Sequence, residues 1–281
     1  MIKFSIGICT YNRSDMLMTC LRALEKHLSH RYDYEIIVIN NNSSDNTSKM
    51  LDRVDFVDHY LELNQGLSYA RNRLIEESCG EYILFLDDDA IICSDILESY
   101  SSAIKSFPNK KIFGGKVVPE LDVVIPSWFD KNFHMAYSIL DLGDGTHSFT
   151  KPNGPIGANF LVKKSAIGNV TFRTDLGRVG DLLLSGEETD FIVNLGGAKD
   201  CIYVGSAVVY HHFEHKRYDF DWARERFKQN GISDYLLRKE KNNTFKGLAS
   251  QIYHFSRSIT AKNINYTKCR YYSLLSYFRS F

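Results

Sequence analysis

Over the first 120 residues, short apolar runs alternate with stretches whose apolar positions recur at helical spacing. That rhythm predicts successive strand-helix-strand units, an α/β architecture with a mostly parallel sheet. Residues 4–9 read as a strand, and Ser14 stands where it can cap a helix whose Leu17, Leu21, Leu24 and Leu28 share one face. A strand follows at 34–39, then a short helix capped by Asp45 and a poorer strand at 56–63. The helix at 67–78 is one that Gly80 is placed to close in the left-handed conformation. The next strand, 82–86, is YILFL. With no polar alternation it predicts burial on both faces, and it runs straight into Asp87-Asp88-Asp89.

Residues 94–107 read as a helix and 111–118 as a strand, after which the rhythm breaks. Positions 119–155 scatter four prolines and several glycines around Trp128-Phe129. This is too irregular for regular elements and long enough to predict a functional loop region that sets substrate specificity. Trp128 and Phe129 suit either the apolar face of a sugar ring or the core. Regularity returns with a strand at 158–162, a helix at 187–195 ended by Gly196-Gly197, a strand at 202–209 and a helix around 220–229.

The last 44 residues differ in composition: nine Lys and Arg face only Glu240, with nine Phe and Tyr interleaved. A basic, aromatic, partly amphipathic tail of this kind suits an anionic membrane surface, packing on its own domain, or dimerisation. Elsewhere charge excludes rather than suggests. Thirty-four basic and thirty-four acidic residues cancel, so no basic field argues for nucleic acid. No apolar run approaches the roughly 18–20 residues needed to span a bilayer. Six cysteines at irregular spacings, without a CxxC pair, suit reduced thiols. The short apolar run at the N-terminus suits a strand better than a secretory signal. Both features predict a cytoplasmic protein, with the tail allowing a place at the cytoplasmic face of the membrane.

Three aspartates at the carboxyl end of a buried strand call for a neutralising partner, and that end of an open α/β sheet is where ligands sit. Mg²⁺ or Mn²⁺ fits such hard oxygen ligands; an acidic turn leading into the next helix is the other reading. In GEETDF, Glu188 repeats with Phe191, Ile192 and Leu195 on the apolar face and is expected to look inward. Glu187 and Asp190 share the neighbouring polar face, where solvated charge at a helix N-terminus is ordinary.

The segments SIGICTYNR, VINNNSSDNT, NQGLSYARN and YILFLDDDA, in that order, resemble the family 2 glycosyltransferases. PNGPIGANFLVKKSAI, GEETDF and YHHFEHKR extend the resemblance over about residues 3–240. It implies a GT-A fold with a 1–240 transferase domain, divided into a nucleotide-binding half at 1–118 and an acceptor-binding half at 119–240, followed by the 241–281 tail. It also implies a nucleotide-diphospho-sugar donor, UDP-linked for preference, and a glycan or lipid-linked glycan acceptor. Thr10, Tyr11, Arg13, Asn40 and Asn41 then correspond to the positions that hold base and ribose. The family usually has an aspartate at the position of Asn40 or Asn41; an amide oxygen accepts from uracil N3–H without charge assistance. Arg71 falls beside the nucleotide. Asp89 coordinates the metal, Asp87 and Asp88 contact ribose or the metal's shell, His211 adds a metal contact, and Arg217 lies near the diphosphate. Glu188 takes the place of the usual catalytic Asp and acts as the base of an inverting transfer. A nucleotidylyltransferase would need a glycine-rich phosphate loop after the first strand, which TYNRSD lacks. A non-catalytic binding module would lack the carboxylates.

Overall fold

The computed structural model describes residues 3–28, 30, 33–120, 124–150 and 154–281. Positions 121–123 and 151–153 of the irregular segment, Pro152 among them, lie outside the described residues. The chain opens with β1 (Phe4–Thr10), α1 (Ser14–Leu28), β2 (Tyr34–Asn40), α2 (Thr47–Leu51), β3 (Asp58–Leu61), α3 (Leu67–Glu77) and β4 (Tyr82–Asp87). It continues through β5 (Ala90–Ile92), α4 (Ile96–Ser106), β6 (Ile112–Pro119), β7 (Thr146–Ser148) and β8 (Asn159–Lys163). Then come α5 (Glu187–Asn194), β9 (Cys201–His211), α6 (Phe220–Lys239), α7 (Thr244–Ile259) and α8 (Ile264–Arg279).

The strands form one sheet in the order β3-β2-β1-β4-β8-β6-β9-β5, with β7 on the side of β9. The first four positions are parallel, as expected. The rest corrects the mostly parallel expectation. β8 runs antiparallel between β4 and β6, and β5 and β7 lie antiparallel on β9, so the sheet is mixed. NFLVK in β8 is buried at four of five positions, just as a parallel strand would be, and hydrophobicity does not encode direction.

Both faces of the sheet are covered. Ile6, Ile8, Leu84 and Leu86 pack against Leu17, Leu21 and Leu24 of α1 on one face. Ile83 and Phe85 meet Leu74 of α3, Phe172 and Phe191 on the other. This is why YILFL has no polar position. Asn46, not Asp45, holds the N-cap position of α2, and the Asp45 carboxylate one residue earlier accepts from the Thr47 backbone N–H at 3.0 Å. Gly80 serves differently: α3 ends at Ser78 in extended backbone, and a Cβ on Gly80 would stand 2.6 Å from the Ser5 nitrogen, so the glycine permits close approach to β1.

A third, aromatic cluster joins the irregular segment to the C-terminal helices. Phe129, Phe133 and Tyr137 pack with Phe213, Tyr218, Phe227 of α6 and Cys269 of α8. Trp128 lies edge-on to Phe133 and Phe220, so the pair expected either in the core or on a sugar is in the core. Helix α6 runs ten residues beyond the expected end at 229, because α8 packs along it. Asn263, capping α8, also donates to the Trp128 carbonyl at 2.8 Å and to Asp130 at 2.9 Å. No helix among the described residues is long and apolar enough to cross a membrane.

Gly231 in α6 faces the Ser273 backbone carbonyl of α8, which a Cβ would overlap. In an exposed helix Gly→Ala would gain about 1 kcal/mol. Here the clash is with backbone and should dominate, so Gly231→Ala is expected to lower unfolding free energy in urea by about 1–3 kcal/mol. A stabilised variant would show that α6 and α8 are not in close contact.

Candidate active site

The carboxyl ends of β1, β4 and β9 converge, and backbone pairing sets their alignment. Ala90 of β5 pairs with His211 of β9, and the His212 N–H donates to the Asp89 carbonyl at 2.9 Å. The three-residue strand β5, which no sequence pattern marked, therefore brings the histidine to the aspartates. Asp88 is spent within the protein: Thr10 Oγ1 donates to it at 2.8 Å and Arg13 Nη1 at 2.8 Å. Arg13 also reaches Asp89 at 3.1 Å and Glu214 at 3.0 Å. Arg217 Nη2 lies 2.9 Å from Asp89. Burial pushes the Asp88 carboxyl up, to about 6, against the pull of Arg13. For Asp89 burial acts in the same direction, but His211, Arg217 and Arg13 outweigh it and hold the carboxyl well below its usual range.

Asp87, Asp89 and His211, the three expected at a metal, place one ligand atom each within 4.8 Å of one another. Their donor atoms fit a divalent cation. Asp89 Oδ1 lies 2.8 Å from His211 Nε2, yet both are buried and neither has a hydrogen-bond partner among the described residues. A carboxylate oxygen and an imidazole nitrogen converging out of water are a donor set that a divalent cation takes. Asp87 is more open and faces Arg71 at 3.6 Å.

Arg71 links this cluster to a second one. Its Nη1 lies 2.9 Å from Glu187 Oε1 and 2.9 Å from Glu188 Oε1, and its guanidinium sits over the Phe172 ring. Arg71, expected to meet the diphosphate or the aspartates, lines the cleft and is engaged by carboxylates on both sides. The helical-face expectation for α5 also needs correction. Glu187 and Asp190, assigned to a solvated face, are 2% and 3% exposed, while Glu188 is the partly open one. The polar face of α5 is covered: Arg71 meets Glu187, and Asn194 and Lys241 reach Asp190. Burial and the neighbouring Glu188 raise the Glu187 carboxyl to about 8. Burial also lifts Glu188, but Arg71 and a hydrogen bond from Glu187 lower it on balance. The two shifts run in opposite directions, so Glu187 is the more readily protonated of the pair and Glu188 the more readily ionised. Gly157 makes room for this group, since a Cβ there would overlap Glu188 Oε1 and come within 2.5 Å of Arg71 Nη2.

Asp87 and Asp89 open into the same cleft of about 1820 Å³ as Glu187 and Glu188, while His211 is buried and does not line it. Thr10, Tyr11, Arg13, Asn41, Arg71, Asp87, Asp88, Asp89, Glu188 and Arg217 line it. Asn40 does not: its Oδ1 accepts from the Ser43 N–H and its Nδ2 donates to Ser48, the turn-building alternative. Asn41 is similarly occupied, accepting from the Gly66 N–H and donating to the Glu62 and Asn64 carbonyls. Sequence reasoning missed Glu187, Glu214, Arg178 and Arg226, which also line the cleft. Glu214 lies inside the YHHFEHKR motif and was findable there; Arg178 and Arg226 stand in no motif.

Residues 5–166 match the family described as Glycosyl transferase family 2. The chain is 24% identical over 244 residues to the Haloferax volcanii glucosyl-dolichyl phosphate glucuronosyltransferase, covering 84% of this chain and 77% of that protein. It is 23% identical over 249 residues to the succinoglycan biosynthesis protein ExoM of Rhizobium meliloti, covering 85% and 76%. Among solved structures it resembles the mannosyltransferase PcManGT from Pyrobaculum calidifontis in complex with GDP-Man and Mn²⁺, with a TM-score of 0.63 over 99% of this chain and 86% of that one at 14% identity. S. aureus TarS 1-349 in complex with UDP-GlcNAc gives 0.54 over 87% and 73% at 17% identity. These likenesses are to the fold, a GT-A architecture with added C-terminal helices.

The raised Glu187 carboxyl has a consequence for stability. Folding keeps a proton there that the unfolded chain loses near pH 4.5, so this contribution is complete below 4.5 and disappears as pH rises to about 8. Glu187→Gln mimics the protonated group. Between pH 6 and 8 the wild-type Tm should fall by several degrees more than that of Glu187→Gln, read by calorimetry. Parallel profiles would place the proton elsewhere.

Proposed function

The chain belongs to glycosyl transferase family 2, and from that membership we propose that it transfers a sugar, with inversion, from a nucleotide-diphospho-sugar to a glycan hydroxyl carried on a membrane lipid. The observation that supports this most strongly is one cleft lined by Asp87, Asp89 and Glu188, with His211 buried 2.8 Å from Asp89. Asp87, Asp89 and His211 would hold Mn²⁺ or Mg²⁺, which when bound supplies positive charge to the donor's diphosphate. Arg217 contributes charge from the protein side. Thr10, Tyr11 and Arg13 at the end of β1 bound the nucleoside position, and Asn132, Met135 and Ser138 of the irregular segment line the acceptor half.

Glu188 accepts the proton of the acceptor hydroxyl as its oxygen bonds to the anomeric carbon, and the bond from that carbon to the diphosphate breaks on the opposite face. Arg71 positions Glu188 rather than touching the diphosphate. Its charge, 2.9 Å from Glu188 Oε1, favours the ionised form of that carboxyl.

The lipid-linked acceptor is supported by the C-terminal helices. Phe245, Ile252, Tyr253, Ile259, Ile264 and Phe278 are exposed, with Lys246, Arg257, Lys262, Lys268 and Arg279 exposed between them. The same two helices contribute Gln251, His254, Tyr266 and Arg270 to the cleft. An acceptor rooted in an anionic bilayer at the cytoplasmic face would then meet the cleft from its own anchoring surface.

Thermal shifts with UDP, GDP, CDP and dTDP, each with and without Mn²⁺, test the donor site. One nucleotide should raise the Tm only with metal. Asp89→Asn should lose that shift, while Glu188→Gln keeps it and loses at least about 100-fold in kcat. No shift at millimolar nucleotide would overturn the reading. Sedimentation with vesicles containing phosphatidylserine tests the acceptor side: binding should fall at least several-fold in Phe245→Ser/Phe278→Ser, and absence of wild-type binding would remove the lipid from the proposal.

A further inference from the structure

Within the cleft most arginines are matched to carboxylates. Arg13, Arg71 and Arg217 each lie about 3 Å from at least one, and Arg238 pairs with Asp234 at 2.9 Å. Arg178 and Arg226 are not, and nor is Arg270, whose Nη2 donates to Gln251 Oε1 at 3.3 Å. Arg226 is 8% exposed; its Nε donates to the Ala136 carbonyl at 3.1 Å and its Nη1 to the Leu183 carbonyl at 2.6 Å. Neither contact neutralises its charge, and Nη2 makes no described bond. Arg178 is fixed at its backbone, where its carbonyl accepts from the Leu67 N–H at 2.9 Å at the start of α3. Its guanidinium has no hydrogen bond or ion pair among the described residues.

Both line the cleft that Asp87, Asp89, Glu187 and Glu188 also line. Burial and then Arg178 lower the pKa of Arg226 to about 10, with Glu187 and Glu188 among the groups acting in the other direction. Burial and then Arg217 lower that of Arg178, while Asp87 and Asp89 oppose. Like charges that share a cleft, one buried and the other half-buried, are costly unless an anion joins them. A guanidinium offers carboxylate or phosphate a planar, two-pronged fit.

We propose that Arg178 and Arg226 form an anion subsite for a charged group of the substrates other than the donor's diphosphate. Resting on the transferase reading above, this makes the transfer one between partners of which at least one carries a further negative charge beside the reacting centre. That charge is either a carboxylate on the transferred sugar or a phosphate joined to the acceptor's first sugar. Both present the same chemistry to the two arginines.

Calorimetric titration of the full chain with Mn²⁺ separates the sources. The ligands are the nucleoside diphosphate selected by thermal shift, its hexose and hexuronate esters, and an octyl hexoside beside an octyl hexosyl phosphate, each octyl ligand with the nucleoside diphosphate present. In the wild type at least one charged ligand should bind about tenfold or more tightly than its neutral twin. Arg178→Gln and Arg226→Gln should reduce that preference below about threefold while leaving nucleoside diphosphate binding within about threefold. Preference in the donor pair identifies the sugar carboxylate, and preference in the acceptor pair identifies the phosphate. Arg226→Gln loses two carbonyl contacts and can unfold; Arg178→Gln loses none and decides alone in that event. The proposal fails if the wild type ignores charge in both pairs. It fails too if the variants weaken the nucleoside diphosphate as much as the charged ligand, since the arginines then serve the diphosphate. A wild type that binds no nucleoside diphosphate sinks the underlying transferase reading instead.

Discussion

Three aspartates follow a strand buried on both faces, and two of them stay almost wholly out of water. An unpaired carboxylate in that position costs several kcal/mol even after relaxation, so the rest of the site is arranged around supplying cations. Arg13 comes from the loop after β1, Arg217 from the turn after β9, and Arg71 from α3. Three distant parts of the chain are thereby tied to one strand end. This requirement explains why the first helix and the C-terminal half must dock in one geometry: the arginines reach Asp88 and Asp89 only when both are in place. It also leaves Asp89 Oδ1 and the imidazole nitrogens of His211 as buried atoms that the protein itself does not satisfy.

The same economy shapes the second carboxylate pair. One guanidinium faces Glu187 and Glu188, and one positive charge stabilises one negative charge well. Burial and the shared charge then raise one carboxyl and lower the other, which sets two chemically identical side chains apart. Position along α5 then decides which is useful. Glu187 is closed in, whereas Glu188 retains partial exposure to the cleft where a hydroxyl could arrive.

Much of this was legible in the amino-acid order. Strong, local signals survived: YILFL followed by three aspartates, leucines on one face of α1, and a histidine at the end of a long strand. Failures came where a distant segment redefines a local environment. The helical wheel of α5 identified a polar face correctly but could not know that Arg71 and Lys241 would cover it. β5 is three residues long, too short for periodicity, and exists because β9 offers it an edge. Asn230-Gly231 is a pair that often ends helices, yet α8 needs that missing side chain, and α6 continues through it. The asparagines after β2 looked equally suited to ligand or turn; their hydrogen bonds show them occupied by the turn. Arg178 and Arg226 gain significance only from the carboxylates they lack, which no linear pattern records.

The C-terminal helices have two sides with different surroundings, one lining the cleft and the other bearing exposed aromatic and basic residues. Because these are faces of the same rigid rods, packed on α6 through a glycine contact, displacement on one side cannot be confined there. Any surface that favours one width of the cleft must alter substrate affinity by the factor by which substrate alters affinity for that surface. On the proposed reading, surface attachment and turnover would then be linked through a single coordinate, the position of two helices.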